Sequence, residues 1–148
     1  MLLPHLNFPE YDFKLQESEG TTYIFDRFRR KKVVLTPEEW VRQNLLVHLC
    51  EGLDYPHQLI GVENGLRLNK MSRRTDAMVY KEGKAIMLIE CKADYIPLNQ
   101  EVFDQICRYN QIVKAQYLLL TNGNQHIVGC LQSDRLSFLP NIPKYHEL

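Results

Sequence analysis

The chain has 148 residues, 18 acidic and 18 basic side chains, and an apolar share of 45%, which suits one globular domain with its own core. Zero net charge excludes a protein that coats nucleic acid by general basicity, so any such contact must be local. The four cysteines (Cys50, Cys91, Cys107 and Cys130) form no CxxC pair, and no apolar run approaches the ~18 residues of a membrane span.

Met1 to His5 carry no secretory pattern, so the expectation is a soluble protein of a reducing, cytoplasmic compartment. One domain is expected over residues 1–148. Residues 1–35 form an N-terminal extension and β-hairpin, and residues 36–134 form the core. In chain order, residues 13–16 read as a short strand and residues 22–26 and 32–35 as a hairpin. The basic run Arg27, Arg29, Arg30, Lys31 and Lys32 lies near its turn; a solvated turn would look the same. Thr36-Pro37-Glu38-Glu39 has the capping-box pattern and opens a helix carried by Trp40, Val41, Leu45, His48 and Leu49. Gly52 is expected to end it.

Short extended segments follow at 58–63 and 65–69. Residues 75–80 and 84–92 read as two strands joined at Glu82-Gly83. The apolar centre of the second, Ala85 to Ile89, suggests a strand covered on both faces. A second helix spans about 98–114, strands follow at 116–120 and 126–131, and the remainder reads as a tail. The order implies an α/β fold, a mixed sheet with helices on its faces.

The chemistry concentrates on Asp76 and on Glu90-Cys91-Lys92. A Glu-x-Lys with an upstream Asp is common by chance, but here Glu90 and Lys92 end an apolar strand, where charges seldom sit without a partner or ligand. Alternation places them on one face with Ile86 and Leu88. A two-residue turn would pair Asp76 with Ile89, whereas a three-residue loop with Gly83 in a left-handed position sets Asp76 opposite Glu90; the second is expected. Two carboxylates that close need a cation between them. Mg2+ suits oxygen ligands, here Asp76, Glu90 and the Cys91 backbone carbonyl, and Mn2+ could substitute. Lys92 would orient the attacking water or offset transition-state charge. The competing reading is a structural ion pair of Lys92 with Asp76 or Glu90.

Gln105 and Tyr109, four residues apart on the second helix, fall at the edge of its buried stripe and can reach a neighbouring site. Glu39 either caps the first helix or turns its carboxylate to the metal, as Glu38 also could. Arg73 and Arg74, just before Asp76, are candidate phosphate contacts. No GxxxxGK[ST] or GxSxG occurs, and the five histidines show no metal-ligand spacing.

Taken together, the stretches FDRFRRKKVVLTPEEWVRQNLLVHL, RTDAMVYKEGKAIMLIECKA, PLNQEVFDQICRYN and YLLLTNG make residues 23–123 resemble the N-terminal nuclease domain of type I restriction enzyme R subunits. More narrowly, they are similar to small stand-alone members of that PD-(D/E)XK group. The resemblance implies a restriction-endonuclease-like fold and Mg2+-dependent cleavage of DNA. It assigns the Asp, Glu-x-Lys and Gln-x-x-x-Tyr signatures to Asp76, Glu90, Lys92, Gln105 and Tyr109, and the first-helix glutamate to Glu38 or Glu39. Thr75 stands where the motif name has proline, and no motor motif accompanies the signatures. The expectation is therefore a DNA-processing or restriction-type nuclease, acting as a homodimer or with a separate motor or specificity subunit. The alternative is a non-catalytic nucleic-acid-binding or accessory module on the same fold.

Overall fold

The computed structural model describes residues 3–62 and 76–148. The segment expected at 65–69, together with Arg73, Arg74 and Thr75, lies outside the described residues. Three antiparallel strands come first: β1 (Leu15–Ser18), β2 (Thr21–Asp26) and β3 (Lys31–Val34), a small sheet in that order. Helix α1 (Pro37–Leu53) follows. A 3-10 turn at His57–Leu59 leads into β4 (Ile60–Val62). The remaining elements are β5 (Ala77–Lys81), β6 (Lys84–Cys91), α2 (Gln100–Val113), β7 (Tyr117–Thr121), β8 (His126–Gln132), β9 (Arg135–Leu139) and a 3-10 turn at Tyr145–Glu147. Strands β4 to β9 form one sheet in sequence order. Among the described residues only the β6–β7 pair is parallel, which is where α2 intervenes as the crossover. The fold is α/β, with the mixed sheet and flanking helices of the restriction-endonuclease-like kind.

The central strands are covered on both faces. On one face Val41, Leu45, Leu46 and Leu49 of α1 pack on Val79, Met87, Ile89, Leu119 and Val128. On the other, Phe103, Ile106 and Tyr109 of α2 pack on Met78, Leu88, Leu118 and Leu120. Each such side chain, once fully buried, contributes roughly 1.5–3 kcal/mol. Asn110 anchors α2: its side chain donates to Ala115 O (3.0 Å) and accepts from Ala115 N (2.9 Å), tying the helix end to the start of β7.

Three expectations are corrected. Residues 135–139, read as tail, form an edge strand on β8. Helix α1 runs past Gly52 to Leu53, and Asp54 takes the left-handed cap position. Gly52 instead makes room: a Cβ there would lie 2.8 Å from His48 Nδ1 and 3.2 Å from the Tyr11 hydroxyl, which is itself 2.8 Å from that nitrogen. Gly→Ala on an open helix face gains ~1 kcal/mol. Here overpacking of about 1–3 kcal/mol opposes it, so Gly52→Ala is expected to lower the urea midpoint by the equivalent of about 1 kcal/mol.

The third correction concerns the β5–β6 turn. Glu82 and Gly83, both at positive φ, form a two-residue loop between the paired Lys81 and Lys84, not a three-residue one. The register then shifts between Val79 and Tyr80, so that Val79 pairs with Met87 and Tyr80 with Ala85. Ile86 is the extra residue of a β-bulge, which interrupts alternation. Ile86 accordingly packs on the α1 side, not with Leu88. Beyond the bulge, Ala77 faces Ile89, and the same register carried one step further brings Asp76 level with Glu90.

The N-terminal segment crosses the end of the sheet on two half-buried imidazoles. Phe8 stacks on His126 at 4.5 Å and lies 5.4 Å from His48. His126 Nε2 is 3.1 Å from Asn7 O, and its Nδ1 is 2.8 Å from Thr121 Oγ1. Burial holds both histidines below their ordinary pKa, and for His48 the charge of His126 acts the same way. A depressed histidine stabilises the fold above its unfolded pKa, ~6.5, and that stability is lost as pH falls through the folded value. The urea midpoint is therefore expected to drop between pH 7.5 and pH 5, with a smaller drop in His126→Asn.

Candidate active site

The site is built where α1 begins, β5 begins and β6 ends. Thr36 caps α1 by accepting the Glu39 N–H at 3.0 Å. The Glu39 carboxylate does not close the capping box. It accepts from Arg29 Nη2 (2.7 Å), Arg42 Nη1 (2.8 Å) and Gln43 Nε2 (3.1 Å). Arg29 belongs to the basic run, yet it turns inward: it also donates through Nε to the fully buried Asp26. Asp26 accepts the backbone N–H groups of Phe28 (2.7 Å) and Arg29 (3.1 Å) as well. Burial would raise the Asp26 pKa, but the Arg29 contacts outweigh it and hold the carboxyl below its ordinary range.

Arg42 extends this chain of charges to Asp76. Its Nη2 donates to Asp76 Oδ1 at 2.8 Å and lies 3.4 Å from Glu38 Oε1. Burial works against the guanidinium, but Asp76 and Glu39 hold its pKa above the ordinary value, so Arg42 carries its charge at any working pH. The second Asp76 oxygen, Oδ2, accepts the Cys91 backbone N–H at 2.7 Å. Asp76 is thus docked on the last residue of β6, between the positions of Glu90 and Lys92. Lys92 Nζ is 3.6 Å from Glu90 Oε1, with both side chains about one-fifth exposed. The Lys92 backbone N–H donates to Thr121 O at 2.8 Å, which continues the β6–β7 ladder under the site.

Of the two α1 glutamates, Glu38 is the one that faces Asp76. Burial and the Asp76 charge raise its pKa, while Arg42 and Lys92 act the other way. The structure therefore gathers Glu38, Asp76, Glu90, Lys92 and Arg42 in one region and commits Glu39 to two arginines and Gln43. On α2, Tyr109 is buried in the core beside Met78 and Leu88, and Gln105 is half-buried one turn before it.

The donor set suits a hard cation. Asp76, Glu90 and the Cys91 carbonyl offer oxygen, and Mg2+ commonly takes one or two carboxylates while keeping waters. The Cys91 thiol does not compete, because burial and then Asp76 push its pKa well up and keep it protonated. Among the described residues, no three His, Cys, Asp or Glu side chains are grouped to hold a metal ion by themselves, so the backbone carbonyl and water would have to complete the shell.

Sequence reading missed Arg42, although its signal was available: it lies three residues after Glu39 and four after Glu38, on the same helix face. Its partnership with Asp76, 34 residues away, had no local signal.

Residues 37–143 match the family model described as the type I restriction enzyme R protein N terminus (HSDR_N). No curated protein and no solved structure matches the chain.

Proposed function

The chain belongs to the family of type I restriction enzyme R protein N termini, a nuclease-type domain of restriction enzymes, and on that premise we propose that it hydrolyses DNA phosphodiester bonds with Mg2+ at Asp76, Glu90 and Lys92. What supports this most is the docking of Asp76 on the Cys91 N–H at 2.7 Å, which holds a carboxylate beside the Glu-x-Lys pair at a strand end. Asp76, Glu90 and the Cys91 carbonyl would hold the ion, and Glu38 adds a further carboxylate at Asp76. When bound, Mg2+ would supply charge neutralisation at a phosphate oxygen.

The side chains do the rest. The Lys92 ammonium donates to the attacking water and offsets charge that develops on the phosphoryl oxygens. Water attacks phosphorus in line and gives up a proton to solvent, the P–O bond to the leaving strand breaks, and that oxygen departs with a proton from solvent. Arg42 keeps the Asp76 carboxylate fixed. Gln105 and Tyr109 would position the site or the substrate backbone from α2, and Arg73 and Arg74 would contact phosphates. DNA is the substrate, with a second copy or a separate motor or specificity subunit as partner. Among the described residues no helix is long and apolar enough to cross a membrane.

A second reading has its own observation: Asp76 is already neutralised by Arg42. On that reading the cluster is structural and the chain is a non-catalytic nucleic-acid-binding or accessory module. Incubation of supercoiled plasmid and single-stranded DNA with Mg2+ or Mn2+ separates the two. Metal-dependent nicking that EDTA abolishes supports the nuclease, and binding without cleavage supports the module.

A further inference from the structure

The small sheet β1–β3 lies before the residues that match the family model, and its outer face has a composition of its own. Strand β2 alternates: Ile24 and Asp26 are fully buried, while Tyr23 and Phe25 point outward, with Phe25 40% exposed. Register sets their neighbours. Tyr23 pairs with Gln16 on β1 and Val34 on β3, and Phe25 pairs with Lys32. On the other side the Phe25 N–H donates to Lys14 O at 3.0 Å, and Lys14 Nζ lies 6.0 Å from the Phe25 ring centre. Lys14, Leu15, Gln16, Tyr23, Phe25 and Lys32 line an open groove of about 210 Å³.

The charges on this face have one sign. Lys14 and Lys32 flank the two rings. Glu17 pairs with Thr22, so alternation turns it to the opposite face, where it accepts from the Thr22 hydroxyl. The exposed Arg30 continues the basic character into the β2–β3 loop. A lone apolar patch would suit many partners. Two adjacent rings between two ammonium groups suit a polyanion that carries flat aromatic groups, because rings stack bases and cations follow the backbone. Rings at i and i+2 along a strand are about 6.7 Å apart, roughly one extended nucleotide. Duplex DNA, with its bases stacked inside, cannot use such a platform.

We propose that the outer face of β1–β3 binds single-stranded DNA, with bases on Tyr23 and Phe25 and phosphates at Lys14 and Lys32. The choice of DNA over RNA rests on the proposed function; the stacking chemistry does not. The test is fluorescence polarisation of labelled dT20 with the full chain in EDTA, which keeps it independent of cleavage. Tyr23→Ala and Phe25→Ala should each weaken binding roughly 5- to 150-fold, and Phe25→Trp should retain it. The Lys14→Gln/Lys32→Gln double variant should reduce the slope of log affinity against log salt by about 1.4. Binding of dT20 is read in EDTA and plasmid nicking in Mg2+, so the failure of either proposal can be told from failure of the other. Phe25 and both lysines are exposed, so these variants keep the fold even where Tyr23→Ala does not. The proposal is overturned if wild type does not bind dT20, if blunt duplex or rU20 binds more tightly, or if the Phe25 and lysine variants bind unchanged.

Discussion

Lys92→Ala is expected to lower DNA cleavage by about 10²–10³-fold while shifting the urea midpoint little. The two effects separate for a physical reason. The Lys92–Glu90 pair is 3.6 Å apart and partly exposed, so its worth to the fold is about 0–1 kcal/mol. A preorganised ammonium group beside the reacting phosphate acts on charge that exists only in the transition state, so its loss falls on rate. Asp76→Asn should lose cleavage to a similar extent, but it should also lose stability, because the neutral amide no longer matches Arg42. Plasmid nicking rates and urea midpoints on the same preparations check both. Undiminished nicking by Lys92→Ala would remove it from the mechanism.

Arg42→Leu should be the most destabilising single change in the site. Its side chain is 7% exposed and bridges Glu39 and Asp76 at 2.8 Å each. Removing the cation leaves two carboxylates packed in a poorly solvated place, an effect of about 3–5 kcal/mol. At ~2–4 °C per kcal/mol for a domain this size, the melting temperature should fall on the order of 10 °C. Leucine retains much of the packing volume, so the loss reports charge more than a cavity. Arg42→Leu combined with Asp76→Asn should recover part of it, since the carboxylate that loses its cation is then replaced by a neutral amide, whereas Glu39 keeps Arg29. A loss below about 1 kcal/mol in urea unfolding would mean that the chain of charges from Asp26 to Asp76 holds nothing together.

How much of this was legible depended on whether the signal was local. Thr36-Pro37 marked the start of α1 because capping is a matter of three residues. The two-faced burial of β6 was legible from its unbroken apolar run. The pairing of the β5–β6 hairpin was anticipated through the wrong device: a two-residue turn plus a bulge at Ile86 yields the register that a three-residue loop would have given. Nothing in Ala85-Ile86-Met87 marks a bulge, because all three are apolar and suit either face. Strand β9 was missed because Arg135–Leu139 is mostly exposed and pairs only on one edge, next to two prolines that suggested a tail. The basic run was ambiguous for good reason: Arg29 is turned inward to Asp26 and Glu39, while Arg30 and Lys31 are exposed. The Glu38–Glu39 ambiguity was likewise beyond sequence, since it is decided by which of two neighbours Arg29 and Arg42 reach.

Calorimetric titration of Mn2+ into the wild type and into Glu90→Gln measures the claim beneath all of this. One saturable site in the wild type, weakened at least tenfold by the loss of a single carboxylate charge, is the predicted result. Identical heats in the two proteins, or none in either, would contradict it and leave the Asp76–Arg42 and Glu90–Lys92 pairs as parts of the scaffold alone.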